Sequence, residues 1–109
     1  MGKFEIKTDN ANQFRFNLKA GNGEIILRSE GYTTKSSCKN GIESVRTNSQ
    51  EDSKFERKTS SSDSSYFNLK AGNGEIIGTS ETYSSSAAME TGIVSVKSNA
   101  PNAAVEDLS

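Results

Sequence analysis

Asn17-Leu18-Lys19-Ala20-Gly21-Asn22-Gly23-Glu24-Ile25-Ile26 reads NLKAGNGEII, and the same ten residues stand again at 68–77. Two readings compete for its central Gly-Asn-Gly. A phosphate loop needs a helix starting at the glycines, with its free N–H groups aimed at the anion. Here Glu24-Ile25-Ile26-Leu27 continues as strand, and an acid directly after the turn repels phosphate. On the other side Phe16, Leu18 and Ala20 alternate with Arg15, Asn17 and Lys19. Asn-Gly between such runs signals a hairpin, because a type I′ turn needs positive φ at both central residues. The motif is read as a hairpin.

Parity sharpens that reading. A loop of two or four residues sets Leu18 opposite Leu27 or Ile25, on one face, whereas a loop of three sets it against Ile26 and mixes the faces. An even loop is therefore expected, with Ile26 and its counterpart Ile77 turned outward.

The duplication extends far beyond the decapeptide. An offset of 51 residues carries Phe16 onto Phe67, Lys3-Phe4-Glu5 onto Lys54-Phe55-Glu56, Tyr32 onto Tyr83 and Gly41-Ile42 onto Gly92-Ile93. A period this long marks one supersecondary unit, and the copies are expected to bury a shared core. Ser60 to Ser65 has the composition of a linker, but it overlies Asp9 to Phe14 within the repeat and is read as a hairpin loop. Phe4, Ile6 and Thr8 alternate with Lys3, Glu5 and Lys7, the period of a half-buried strand. After Tyr32 the period changes: Cys38, Ile42 and Val45, and again Met89, Ile93 and Val96, form a helical stripe. Thr33 or Thr34 and Ser84 or Ser85 are the expected N-caps, and Pro101 stops the second helix. A mid-helix Gly costs about 1 kcal/mol relative to Ala, so Gly41 and Gly92 imply close approach of helix to sheet.

The run at Ala103 to Leu108 overlies Asp52 to Arg57, so the strand around Phe55 can close the first repeat and open the second. The reading is one α+β domain over 1–109, in repeats of about 1–51 and 52–109. Tandem β-β-β-α-β units form one mostly antiparallel sheet, with two helices on one face and the Phe55 strand shared between repeats.

The stretches FRFNLKAGNGEIILRSEGY, NGIESV, YFNLKAGNGEIIGTSETYSS and SNAPNAAVEDLS together resemble the YegP-like family of small bacterial proteins of uncharacterised function. The resemblance covers essentially the whole chain. It implies two such units, in tandem or as a dimer of single repeats, joined in one sheet with their C-terminal strands exchanged. It brings no activity, cofactor or catalytic residue. Arg57 departs from the apolar residue expected opposite Ile6, which implies less burial there.

The totals restrict function. Only 31% of the chain is hydrophobic, and 13 basic against 14 acidic residues leave a net charge of -1. No global field favours nucleic acid or an anionic membrane. No apolar run reaches spanning length, and MGKFEIKTDN lacks the apolar core of a signal peptide. Cys38 is the single cysteine and His is absent, which fits a reducing compartment, the cytoplasm, and removes the commonest general base and zinc ligand. No catalytic, metal or cofactor residue is assigned. Glu30 and Glu81 share no evident pocket, and Cys38, although near Lys35 and Lys39, lies in the helical stripe and is read as buried. A unit of around 50 residues is marginal alone, so a monomer with internal pseudo-two-fold symmetry is expected.

The expected function is that of a small non-enzymatic binding module using the open sheet face. Its candidate residues are Asn17, Lys19, Ile26, Tyr66, Asn68, Lys70 and Ile77, and its partner a protein or small ligand. A weak nucleic-acid binder and a small enzyme of undefined chemistry are the alternatives. Interleaved Glu residues and a lone aromatic, Tyr66, argue against the first of these.

Overall fold

The computed structural model describes residues 2–109. Strands β1 (Lys3–Thr8), β2 (Phe14–Lys19) and β3 (Ile25–Arg28) precede helix α1 (Lys35–Asn48). The series repeats as β4 (Phe55–Thr59), β5 (Ser65–Lys70), β6 (Ile76–Thr79) and α2 (Ser86–Asn99), and ends in β7 (Ala104–Asp107). All seven strands lie in one sheet, ordered β4-β5-β6-β3-β2-β1-β7. Every pairing is antiparallel except that of β7 with β1.

Each unit begins as a meander because its runs alternate with period two and its turns are short. At the first turn Asp9 N donates to Gln13 O (2.9 Å) and Asn12, at φ 61°, supplies the left-handed residue. The serine-rich loop does the same with Ser60, Ser64 and Asp63, at φ 64°. It is a hairpin loop, as its register indicated. Its short polar residues suit the turn, since Asn and Asp tolerate the left-handed region better than other side chains.

The duplicated decapeptide is also a hairpin, but not with an even loop. Ala20 N donates to Glu24 O (2.9 Å) and Gly23 N to Ala20 O (2.9 Å), which closes a loop of three residues, Gly21 to Gly23. Of the Asn-Gly pair only Gly23 has positive φ, at 86°. This is a type I turn followed by a left-handed glycine rather than a type I′ turn. The mixing of faces that such a loop should cause is undone one step later. Leu18 still faces Leu27, yet Lys19 faces Ile25, so Ile26 is an extra residue bulged out of the ladder. The bulge turns Ile26 toward the helices, where it is buried with Leu27. The second copy repeats it: Leu69 faces Gly78, Lys70 faces Ile76, and Ile77 is buried. Ile26 and Ile77 are therefore core residues and not members of the outer face; Ile25 and Ile76 take the outward places.

Both helices lie over one face of the sheet, and the core is the layer between. The stripes Cys38, Ile42, Val45 and Met89, Ile93, Val96 are all buried against Phe4, Ile6, Phe16, Leu18, Phe67 and Leu69. Fully burying a side chain of this kind stabilises by roughly 1.5–3 kcal/mol. The caps fall where the sequence placed them: Thr34 Oγ1 accepts from Ser37 N (3.0 Å) and Ser85 Oγ from Ala88 N (3.1 Å).

The helical glycines have a specific neighbour. Tyr32, bridged to Phe14 at the strand-to-helix junction, lays its ring on Phe16 (centroids 6.3 Å, planes 16° apart). A Cβ on Gly41 would fall against the Tyr32 hydroxyl and 2.7 Å from its Cζ. Tyr83, stacked on Phe67 (6.5 Å, 11°), stands over Gly92 in the same way.

The two units join at the middle of the sheet, where Arg28 of β3 pairs with Thr79 of β6. Near this seam perfect duplication would fail: a Cβ on Gly78 would sit 2.7 Å from Leu27, its own counterpart. The strand around Phe55 is not shared between the units: β4 succeeds α1 in the chain but opens the second meander at the edge of the sheet. Its hydrogen bonds run to β5 alone. The strand that crosses between units is β7, which closes the far edge on β1. Ile6 is fully buried there, whereas Arg57, its counterpart on the open edge of β4, reaches over to Glu90 of α2 (2.6 Å) and to Asp52 (2.9 Å).

Candidate functional site

The face of the sheet opposite the helices is built of long polar side chains supplied by alternate residues of β1, β2, β4 and β5. Asn17, Lys19, Tyr66, Asn68 and Lys70 stand on it as the sequence indicated. Most of them have structural work there. Glu5 is only 5% exposed. Its carboxylate lies 2.9 Å from Lys19 Nζ and 3.3 Å from Lys3 Nζ, and the Lys19 contact holds it below the usual carboxylate range. In the second unit Glu56 accepts from Lys70 (3.0 Å) and Asn68 Nδ2 (3.2 Å), and those two bonds depress its carboxyl too. Asn68 Oδ1 in turn accepts from Thr79 Oγ1 (2.8 Å). The Lys kept in both copies thus pairs with the acid on the neighbouring strand, and in the second unit Asn68 joins it. Leaving such a charge unpaired is what would be costly.

One part of the face is not used up in this way. Lys7, Arg15 and Arg28, with Thr8, Asp9, Asn17 and Ser29, line a hollow of about 160 Å³ near the end of β1. Arg15 Nε donates to Asp9 (2.6 Å) and Arg28 Nε to Glu81 (2.7 Å), so each guanidinium keeps further N–H groups for another acceptor. Lys7 has no carboxylate within ion-pair distance among the described residues. In the second unit the same three positions hold Lys58, Tyr66 and Thr79. The hollow is basic in one unit only.

The enzymatic candidates come apart. Glu81 is bound to Arg28 of the first unit. Cys38 is fully buried, and burial, with Asp107 nearby, pushes its thiol above the usual value. Lys35, which could have favoured a thiolate, is paired with Asp107 at 2.8 Å. No group of three metal-ligating side chains occurs among the described residues, and none of their helices is long and apolar enough to cross a membrane.

A second concavity escaped the sequence. The turn of the first unit, with Asn22 and Glu24, faces α2 of the second across a cleft of about 390 Å³ whose walls include Ile26, Tyr83 and Gly92. The residues meet only through the seam, so no spacing along the chain announces them. The one signal was an acid kept directly after the turn in both copies, Glu24 and Glu75, in a place where packing does not need it.

The model of the Domain of unknown function (DUF1508) matches twice in tandem, over residues 9–56 and 60–107. The chain belongs to the DUF1508 family. Among DUF1508 relatives, a UPF0339 protein in the ptx operon 5′ region of Stutzerimonas stutzeri is 53% identical over 107 residues, which span 98% of this chain and 96% of that one. The UPF0339 protein YegP of Escherichia coli (strain K12) is 53% identical over 106 residues, spanning 97% and 96%. The solution NMR structure of the Escherichia coli protein, described as of unknown function, superposes with a TM-score of 0.94 at 52% identity, covering 98% of this chain and 92% of that one. That of a UPF0339 protein from Shewanella oneidensis gives 0.93 at 50%, covering 98% and 91%. The tandem matches and these folds bear out both the family resemblance and the α+β architecture of one mixed, mostly antiparallel sheet with two helices.

Proposed function

We propose that this DUF1508 chain is a non-catalytic binding module of the cytoplasm, acting as a monomer, whose outer sheet face receives a carboxylate- or phosphate-bearing ligand at the Lys7, Arg15 and Arg28 hollow. The convergence of three cations on one small recess, with Lys7 unengaged, is the observation that carries this reading. Planar guanidinium forks suit carboxylate and phosphate oxygens. The rest of the face, a mesh of paired charges, supplies solubility and register. Non-catalytic action is supported by the engagement of Glu81 and the burial of Cys38, and the monomer by the pairing of both units within one chain.

The test is an amide shift titration with three probes: inorganic phosphate, a glutamate hexapeptide and a short single-stranded oligonucleotide. Saturable shifts at Lys7, Arg15 and Ser29 are expected with phosphate and the peptide. The double variant Arg15→Gln, Arg28→Gln should weaken them about ten- to a hundredfold, the scale of charge-assisted hydrogen bonds. A flat response at these amides to phosphate and to the peptide would dismiss the reading, and a response to the oligonucleotide alone would replace it with nucleic-acid binding. Light scattering should give the mass of one 11.7 kDa chain.

A further inference from the structure

We propose that the cleft between the Asn22–Glu24 turn and α2 is a binding site for an organic cation, a primary ammonium or guanidinium on a short apolar stem. The site is distinct from the basic hollow: it lies on the helix side of the first hairpin, and its ligand has the opposite charge. Its volume, about 390 Å³, falls within the roughly 300–1,000 Å³ of small-ligand pockets. Its walls are largely apolar, from Ala20, Ile26 and Ala88, with the Tyr83 ring lying over Gly92.

Two polar groups of this cleft, the exposed Glu24 and the half-buried Tyr83, are unpaired among the described residues. Glu24 forms no ion pair and the Tyr83 hydroxyl makes no hydrogen bond among the described residues. They line the same cleft. A carboxylate and a phenol oxygen together accept from an N–H-bearing cation. Glu24 is the one formally charged residue of the lining, so an anion would be repelled.

The duplication supplies an independent observation. At the 51-residue offset Glu75 and Tyr32 repeat Glu24 and Tyr83, and Gly41 lies beneath Tyr32 as Gly92 lies beneath Tyr83. The tyrosines and glycines are explained by packing on each other. The acids are not, and the halves differ elsewhere at exposed positions of the same strands, such as Arg15 and Tyr66.

Two sources offer this chemistry: a free amine, or a Lys or Arg side chain of a protein partner. An amide shift titration separates them, with 1,4-diaminobutane as one probe and an acetylated Gly-Lys-Gly amide as the other, each at constant ionic strength and with sodium acetate as control. Saturable shifts at Asn22, Thr91 and Gly92 are expected, with a parallel set at Asn73 and Gly41. Glu24→Gln should weaken the first set about tenfold, as expected for a lost charge-assisted hydrogen bond, and leave the second set alone. The untouched set shows that the variant is folded. Tyr83→Phe should weaken the first set by a smaller factor. A response to the diamine alone assigns the site to a free amine, and a response to the peptide alone assigns it to a protein partner. No saturable shift with either probe, shifts unmoved by Glu24→Gln, or equal shifts with sodium acetate would overturn the proposal. The basic hollow is probed by other amides and by anions, so the two proposals stand or fall separately.

Discussion

Gly41→Ala sets two known effects against each other, and the structure decides the sign. In an open helix Ala is favoured over Gly by about 1 kcal/mol. Here the new methyl would fall against the Tyr32 hydroxyl, 2.7 Å from Cζ and 3.1 Å from Phe16 Cε2. The ring cannot swing aside cheaply, because it is stacked on Phe16 and its backbone is bonded to Phe14 on both sides (2.7 and 2.8 Å). Overpacking of this kind costs about 1–3 kcal/mol, and with two rings in the way the upper end applies. The net expectation is a loss of about 2 kcal/mol, or roughly 8–16 °C in Tm for a domain of this size. In a Tyr32→Ala background only the 3.1 Å approach to Phe16 Cε2 remains, and the same substitution should stabilise by at most about 1 kcal/mol. Urea unfolding followed by circular dichroism on the four proteins gives the coupling, expected at about 2–3 kcal/mol. If Gly41→Ala stabilises the wild-type chain, or changes stability equally in both backgrounds, the account of the helical glycines is wrong.

The bulge predicts unequal effects from adjacent, chemically identical residues: Ile77→Ala should cost about 2–5 kcal/mol and Ile76→Ala about 0.5 kcal/mol or less, and similar losses would refute the register. Cys38 should react with an aromatic disulfide reagent at least about a hundredfold more slowly in the native protein than in urea, and rapid native labelling would contradict its burial. Acid should destabilise. Glu5, held below its ordinary 4.5 by Lys19, and Asp52, brought from 3.8 to about 2 by Arg57 and Lys97, have lowered folded pKa values. Their contributions are present above the ordinary values and are lost as pH falls through the folded ones. The urea midpoint should decline from about pH 4.5 downward, less steeply at first in Glu5→Gln, and a midpoint that rises on acidification would exclude these pairings.

The sequence was most informative where periods run long. Phe4 and Ile6, Phe16 and Leu18, and the stripe Cys38, Ile42, Val45 each carry their own phase, and all are buried. Ile25-Ile26-Leu27 has no phase of its own, because three apolar residues in a row fit either parity. Its orientation was inferred from the turn on the assumption of an unbroken ladder, and one bulged residue reversed it. Gly41 and Gly92 implied a close neighbour, but its identity depends on how the Tyr32 and Tyr83 rings lie. Lys19, Asn68 and Lys70 carry contacts that the sequence does not announce. Alternation shows that a side chain faces away from the helices, but not whether Glu5 or Glu56 has already claimed it. The cleft at Glu24 joins residues seventy positions apart, as Asn22 and Gly92 show, and local pattern is silent at that range.

Arg57 shows what fusing two units costs in symmetry. Two separate copies could each lend a final strand to the other, and both margins of the sheet would be finished. A continuous polypeptide must spend the segment after its first helix on starting the second half, so one margin is left bare. Position 6 therefore lies in a dry interior while position 57 meets water, and the same residue cannot serve both. A chimera carrying the first half twice would place isoleucine on that bare margin, the kind of edge onto which neighbouring molecules stack.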